Sequence, residues 1–320
     1  KSMSNKKLAV IMDPISGIAP EKDGTLGLLL EAQSRSYDLI YFEQQDLRID
    51  NGMAIGDGCH LAVKDSSTDW FKLSEKNKIS LADLDVILMR KDPPFDTEYI
   101  YTTYVLDLAE SSNVLVINSP QSLRNFNEKV SITQFPECAP PSLVTSSIEN
   151  LKNFLGQHKK IVVKPLDSMG GKSIFVIAEG DLNANSILET ITKENTESIM
   201  AQLYIPEIKN GDKRIHLING KHADILLARI PLAIDNRGNL DAGAQAKTQT
   251  LSENDKHICN RIGPELNARG VFFAGIDVIG DFLTEINITC PTGMRQLKQY
   301  ADYDVVSDLF DAIEEQLTGG

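Results

Sequence analysis

The chain has 320 residues, 42% hydrophobic and 24% charged, enough apolar material for two or three domains and too much for a disordered chain. Lys and Arg number 32 against 45 Asp and Glu, a formal net charge of −13. So acidic a chain is repelled by a phosphate backbone, which excludes nucleic acid and anionic membrane as general partners; an anionic partner is expected to be small and held in a pocket. No stretch approaches the ~20 apolar residues of a membrane span, and the polar start, Lys1 to Lys7, lacks the apolar middle of a signal peptide. The four cysteines (Cys59, Cys138, Cys259 and Cys290) form no CxxC pair, which fits reduced core thiols in a cytoplasmic protein.

The first third alternates strand and helix. Leu8–Met12 predicts a buried strand, Leu26–Gln33 a helix, Asp38–Glu43 and Leu84–Arg90 two further strands, Thr97–Glu110 a helix and Val114–Asn118 a strand. Continuous apolar runs separated by helical patterns indicate a parallel sheet covered on both faces, and such a sheet binds ligands beyond the carboxyl ends of its strands. The polar stretch Asp50–Ser80 is expected to be a hairpin insertion. The proline-rich run Arg90–Asp96 fits either a rigid surface turn or a substrate contact.

After Pro120 the pattern changes to α+β. Helices are expected at Ser147–Gln157, around Ile187–Thr192 and at Asp304–Gln316. Strands are expected at Ile161–Lys164, Ile174–Ala178, Ile199–Ile205, Arg214–Ile218, Ile225–Ile230, Phe272–Ile279 and Leu283–Ile288.

Two familiar phosphate motifs fail on inspection. Gly171-Lys172-Ser173 ends like a P-loop, but Leu166 stands where its first glycine belongs; Gly56 and Gly58 are followed by Leu61 rather than the third glycine of a dinucleotide fingerprint. What remains is Lys164 at a strand end before Gly170-Gly171, which fits an ordinary turn or a backbone cradle for an anion. Glu285 and Asn287 lie two apart on a strand and share a face. A three-residue turn over Gly280-Asp281-Phe282 would set Asp277 opposite Glu285, whereas a two-residue turn would put it on the other face. Three oxygen donors facing one way suit Mg²⁺. Lys213, Arg214, Arg229, Arg237 and Arg295 supply cations that read carboxylate and phosphate. The five histidines show no metal spacing, and no nucleophile motif occurs.

The ordered runs Val10–Pro14, LADLDVILMRKDPPFDTEYIY from Leu81, Asn118–Arg124, Asn127-Glu128-Lys129, VVKPLDSMGGKSIF from Val162, IKNGDKR from Ile208, LARIP from Leu227 and IDVIGDFLTEINITCPT from Ile276 resemble the bacterial glutathione synthetases of the ATP-grasp superfamily over nearly the whole chain. The resemblance implies an α/β N-terminal open parallel-sheet (pre-ATP-grasp) domain over residues 1–125. An ATP-grasp fold of two α+β subdomains would follow, a lid over 126–205 and a part bearing the metal and substrate residues over 206–320. It implies a cytoplasmic homotetramer that ligates γ-glutamylcysteine to glycine with ATP, through an acyl phosphate, using Mg²⁺ or Mn²⁺. Lys129, Lys164, Gly170 and Gly171 would then contact the phosphates, and Gln202, Leu203, Tyr204 and Ile205 the adenine. Asp212 and Lys213 would face the nucleotide, and Asp277, Glu285 and Asn287 would hold the metal. Arg214, Arg229, Arg237 and Arg295 would bind carboxylates and the transferring phosphoryl group. Where the family carries a glycine and an arginine in its lid, this chain has Ala244 and Gln245. The remaining readings are another ATP-grasp ligase, a non-catalytic nucleotide binder and, without its glycine pattern, a nicotinamide dehydrogenase.

Overall fold

A computed structural model describes residues 5–233, 238 and 244–319. In chain order its first part comprises β1 (Lys7–Ile11), α1 (Gly24–Ser34), β2 (Asp38–Phe42), β3 (Leu47–Asp50), β4 (Met53–Val63), β5 (Phe71–Leu73), β6 (Asn77–Ser80), β7 (Val86–Met89), α2 (Thr97–Ser111) and β8 (Leu115–Ile117). Strands β2, β1, β7 and β8 are parallel neighbours, while β4 lies antiparallel beside β2 and carries β3, β5 and β6. The insertion at 50–80 is therefore an antiparallel extension built on one long strand. Ala9, Ile11, Ile87 and Met89 point into the core under α2, and Leu8, Val10, Val86 and Leu88 into the core under α1. That two-sided burial is why these strands are apolar throughout rather than alternating.

A short helix, α3 (Pro120–Asn125), leads to β9 (Ser142–Thr145), α4 (Ile148–His158), β10 (Lys160–Pro165), β11 (Phe175–Ala178), α5 (Ala184–Ile191) and β12 (Ile199–Leu203). The four strands form an antiparallel sheet in the order β11-β10-β12-β9. Helices α4 and α5 cover one face, where Leu151, Ile161, Val163, Ile177 and Leu188 are buried, each contributing about 2 kcal/mol. The period of two then turns Val162 and Lys164 to the opposite face.

The last part contains β13 (Asp212–Ile218), β14 (Lys221–His222), β15 (Ile225–Ile230), β16 (Gln245–Thr250), α6 (Glu253–Ala268), β17 (Phe273–Ile279), β18 (Phe282–Asn287), α7 (Met294–Ala301) and α8 (Val305–Thr318). Its sheet runs β16-β15-β13-β17-β18, with β14 on β13. Ile258, Ile262 and Leu266 of α6 pack against Ile215, Leu217 and Leu226 on one face. The α/β part followed by two antiparallel α+β units agrees with the fold class expected above. Asn118, at the end of β8, joins the first and third sheets: its amide donates to Phe273 O and Ile288 O and accepts from the N–H of Phe272 and Phe273, all within 2.6–2.8 Å.

Seven elements, β3, α3, β9, β14, β16, α6 and α7, lie outside the sequence expectation. Pro264 stands inside α6, where a proline argues against a helix, β16 reads QAKTQT with only an alanine to bury, and α3 and α7 are shorter than a reliable periodic signal.

Candidate functional site

The cleft between the four-stranded and six-stranded sheets collects most of the residues singled out by sequence. Lys129, Lys164, Gly170, Gly171, Gln202, Leu203, Tyr204, Ile205, Asp212, Arg214, Arg229, Asp277, Glu285 and Asn287 all line it. Lys129 and Lys164 are 2% and 5% exposed, and a buried ammonium needs anions nearby. Lys129 pairs with Glu128 and donates to Ser168 O at 2.8 Å; Lys164 Nζ lies 3.6 Å from Glu285 Oε1. Gly170 and Gly171 hold φ near +70°, a left-handed turn that disfavours a Cβ and brings backbone close to the cleft.

The floor of the cleft is a grid of alternating charge set by strand register. Asp212 and Arg214 are two apart on β13, so both face the cleft. Arg214 pairs with Asp277 of β17, and Asp212 with Arg229 of β15. Arg214 grips Asp277 bidentately, and Arg229 Nη2 bridges Asp212 Oδ2 at 2.8 Å and Asp277 Oδ1 at 3.0 Å. Burial pushes the Asp277 carboxyl up, but the two guanidiniums outweigh it and hold the group below the ordinary aspartate range. Burial raises Asp212 and Glu128, with the facing carboxylates adding to the rise. Gly275 makes room for the arginine, since a Cβ there would stand 2.9 Å from Arg214 Cδ.

The β17–β18 hairpin turns on two residues, because Ile279 pairs with Phe282. By itself that turn places Asp277 opposite Thr284. A bulge inserts Thr284 as an extra residue, and Asp277 pairs with Glu285 after all. The three-residue turn is thus corrected to a two-residue turn plus a bulge, with the same face as the outcome.

Two expected residues lie elsewhere. Lys213 alternates to the other face of β13 and pairs with the buried Asp255 of α6, so it does not face the cleft; consecutive strand residues cannot share a face. Arg295 donates to Asp65 at 2.8 Å and to Glu21 O, in a separate groove. Arg237 and the lid positions Asp241 to Gly243 lie outside the described residues, and Gln245 opens β16. Glu128, Thr289, Cys290 and Thr292 also line the cleft, without a prior assignment to the site. Glu128 sits beside Lys129, and Thr289 to Thr292 directly follow the carboxylate strand, so chain proximity was the available signal.

Among the described residues no group of three or more His, Cys, Asp or Glu side chains is arranged to hold a metal. Asp277, Glu285 and Asn287 offer two carboxylates and an amide on one face, with Asn287 Nδ2 3.3 Å from Asp277 Oδ2. That hard-oxygen set is too small to enclose a cation, but it fits Mg²⁺ completed by phosphate and water.

Residues 7–124 match the model of the prokaryotic glutathione synthetase N-terminal domain, and residues 128–302 that of the prokaryotic glutathione synthetase ATP-grasp domain. A glutathione synthetase of Pseudomonas aeruginosa is 49% identical over 97% of this chain and 98% of its own length. One from Vibrio cholerae is 46% identical over the same shares. Among solved structures, the ATP-grasp ligase PsnB complexed with a minimal precursor superposes with a TM-score of 0.65 at 16% identity, over 98% of this chain and 99% of that one. The D-cycloserine synthetase DcsG gives 0.65 at 13% identity, over 97% and 99%. At such low identity these two speak for the fold alone. With both domain models matched in order and relatives near half identity over almost the full length, this chain belongs to the prokaryotic glutathione synthetase family.

Proposed function

We infer that the chain is an ADP-forming ligase that joins γ-glutamylcysteine to glycine, giving glutathione, ADP and phosphate. The observation that carries this reading is the charge grid beneath two buried lysines. Four cations (Lys129, Lys164, Arg214 and Arg229) and four carboxylates (Glu128, Asp212, Asp277 and Glu285) line one cleft, an arrangement suited to a triphosphate, a divalent cation and a carboxylate together. The cysteinyl carboxylate attacks the γ-phosphorus, ADP leaves, and the glycine amine displaces phosphate from the acyl carbon. Such transfers need positioning and charge neutralisation more than a protein nucleophile.

In this reading Lys129, Lys164 and the turn at Gly170-Gly171 hold the phosphates, and the chain from Gln202 to Ile205 holds adenine beside Asp212. Arg214, Arg229 and Arg237 neutralise the transferring phosphoryl group and the substrate carboxylate. Asp277, Glu285 and Asn287 would hold Mg²⁺ or Mn²⁺, which supplies charge neutralisation at the phosphates. The three sheets support functional units over 1–125, 126–205 and 206–320. Four free cysteines, three of them buried, support a cytoplasmic setting; the homotetramer rests on family resemblance. The test is phosphate release from ATP and Mg²⁺ with γ-glutamylcysteine, with and without glycine, followed by product mass. Release that ignores the dipeptide, or a product other than glutathione, sinks the reading.

A further inference from the structure

Asp212, Arg214 and His216 are alternate residues of β13 and share one face of the strand. The first two belong to the charge grid. His216 is wholly buried, with its ring stacked on Phe273, and no step of the ligase reaction needs an imidazole. Its polar contact is specific. Nε2 lies 2.8 Å from Thr292 O; a carbonyl can only accept, so Nε2 carries the proton and donates. Burial, with Arg214 adding, keeps the ring neutral. Nδ1 has no partner among the described residues, so the Thr292 carbonyl alone fixes the polar edge of the ring.

Arg214 reaches for the same carbonyl. Its Nη1 is 3.3 Å from Thr292 O and 3.5 Å from Thr292 Oγ1, against about 2.7–2.9 Å for a firm charge-assisted bond. Nε and Nη2 are committed to Asp277. Nη1 is therefore the loosely held arm, and both Arg214 and Thr292 line the cleft. A carbonyl already satisfied by an imidazole N–H draws little on that arm. Without the imidazole, Nη1 is the side-chain donor left to Thr292 O, and the guanidinium turns one more N–H toward the protein.

We propose that His216 is a positioning residue: by satisfying the Thr292 carbonyl it keeps Nη1 of Arg214 available to the phosphoryl group in transfer. The proposal rests on the ligase reading above, in which Arg214 neutralises that group. It accounts for a polar ring stacked on Phe273 where an apolar side chain of similar size would pack. Arg214 acts on the group in transfer, so the loss belongs to turnover rather than to nucleotide binding. Binding of the nucleotide rests on Lys129, Lys164 and the chain from Gln202 to Ile205.

His216→Leu should lower kcat about tenfold or more, because a displaced donor forfeits part of its transition-state hydrogen bond, with the KM for ATP unchanged. His216→Gln returns an amide N–H to the carbonyl and should restore most of the rate. Gln packs against Phe273 less well than Leu, so a merely structural role ranks the two variants in the opposite order, with kcat following the melting temperature. In an Arg214→Lys background, which has no second arm, His216→Leu should change kcat less than about twofold. A kcat for His216→Leu equal to wild type, an equal loss in both variants, or the full loss persisting beside Arg214→Lys would each overturn the proposal. Wild-type protein that releases no phosphate in response to the dipeptide overturns the ligase reading instead.

Discussion

Arg214 holds Asp277 with two arms of its guanidinium, Nε to Oδ1 at 2.6 Å and Nη2 to Oδ2 at 3.1 Å. Both residues are almost fully buried, so neither has water to replace the other. Arg214→Lys keeps the charge but loses the fork, and kcat/KM should fall about 100-fold. Arg214→Met leaves the carboxylate with Arg229 and the Asn287 amide and should destabilise the fold by up to about 3 kcal/mol. Steady-state kinetics and urea unfolding check the two effects separately.

Glu285 lies 20% exposed, 3.6 Å from Lys164, where its removal leaves no closed cavity. Glu285→Ala leaves the buried Lys164 without its neighbouring carboxylate and should cost about 1–3 kcal/mol of stability, while turnover falls about 10³-fold. A lowered midpoint of unfolding with the fold retained, together with collapsed phosphate release, is the expected pair of results. Near-normal turnover would remove Glu285 from the phosphate and metal site.

His216 is wholly buried beneath Arg214, hydrogen-bonded through Nε2 to Thr292 O at 2.8 Å and stacked on Phe273. Burial, with Arg214 adding, depresses its pKa to about 3. The unfolded imidazole titrates near 6.5, so below that pH the unfolded state binds the extra proton. Its stability penalty is absent above about pH 6.5 and grows as pH falls toward 3. His216→Leu should lose about 1 kcal/mol at pH 7.5 through the missing hydrogen bond and should show a shallower decline between pH 6 and 4. Parallel pH profiles for the two proteins would contradict the buried neutral histidine.

Lys213 and Arg295 make the converse case. Lys213→Met leaves Asp255 buried and unpaired, and should cost about 3 kcal/mol of stability without changing the KM for ATP. Arg295→Ala breaks a pair whose Asp65 side chain is 72% exposed, so both stability and kinetics should stay close to wild type. A large rise in a substrate KM for either variant would return that residue to the site.

Gln245 opens β16 opposite Ile230 and is exposed, so an arginine fits there without repacking. Gln245→Arg should leave the melting temperature unchanged and lower the KM for dipeptide or raise turnover, as a lid cation would. No change in either parameter refutes a lid role for this position.

The sequence by itself determined the parallel strands of the first sheet, whose apolar runs such as Val86–Met89 admit no exposed face. It also singled out Lys164, Asp277, Glu285 and Asn287, which the fold brings to one cleft, because charged and amide groups on otherwise apolar strands call for a compensating charge or ligand. Tertiary structure decided which neighbours meet. Strand alternation sent Lys213 to α6 and Arg214 to Asp277, although the two are adjacent in the chain. The bulge at Thr284, not the turn length, put Asp277 opposite Glu285. A polar element such as β16 exists because the neighbouring strand β15 holds it in place, a stabilisation that no local pattern of hydrophobicity records.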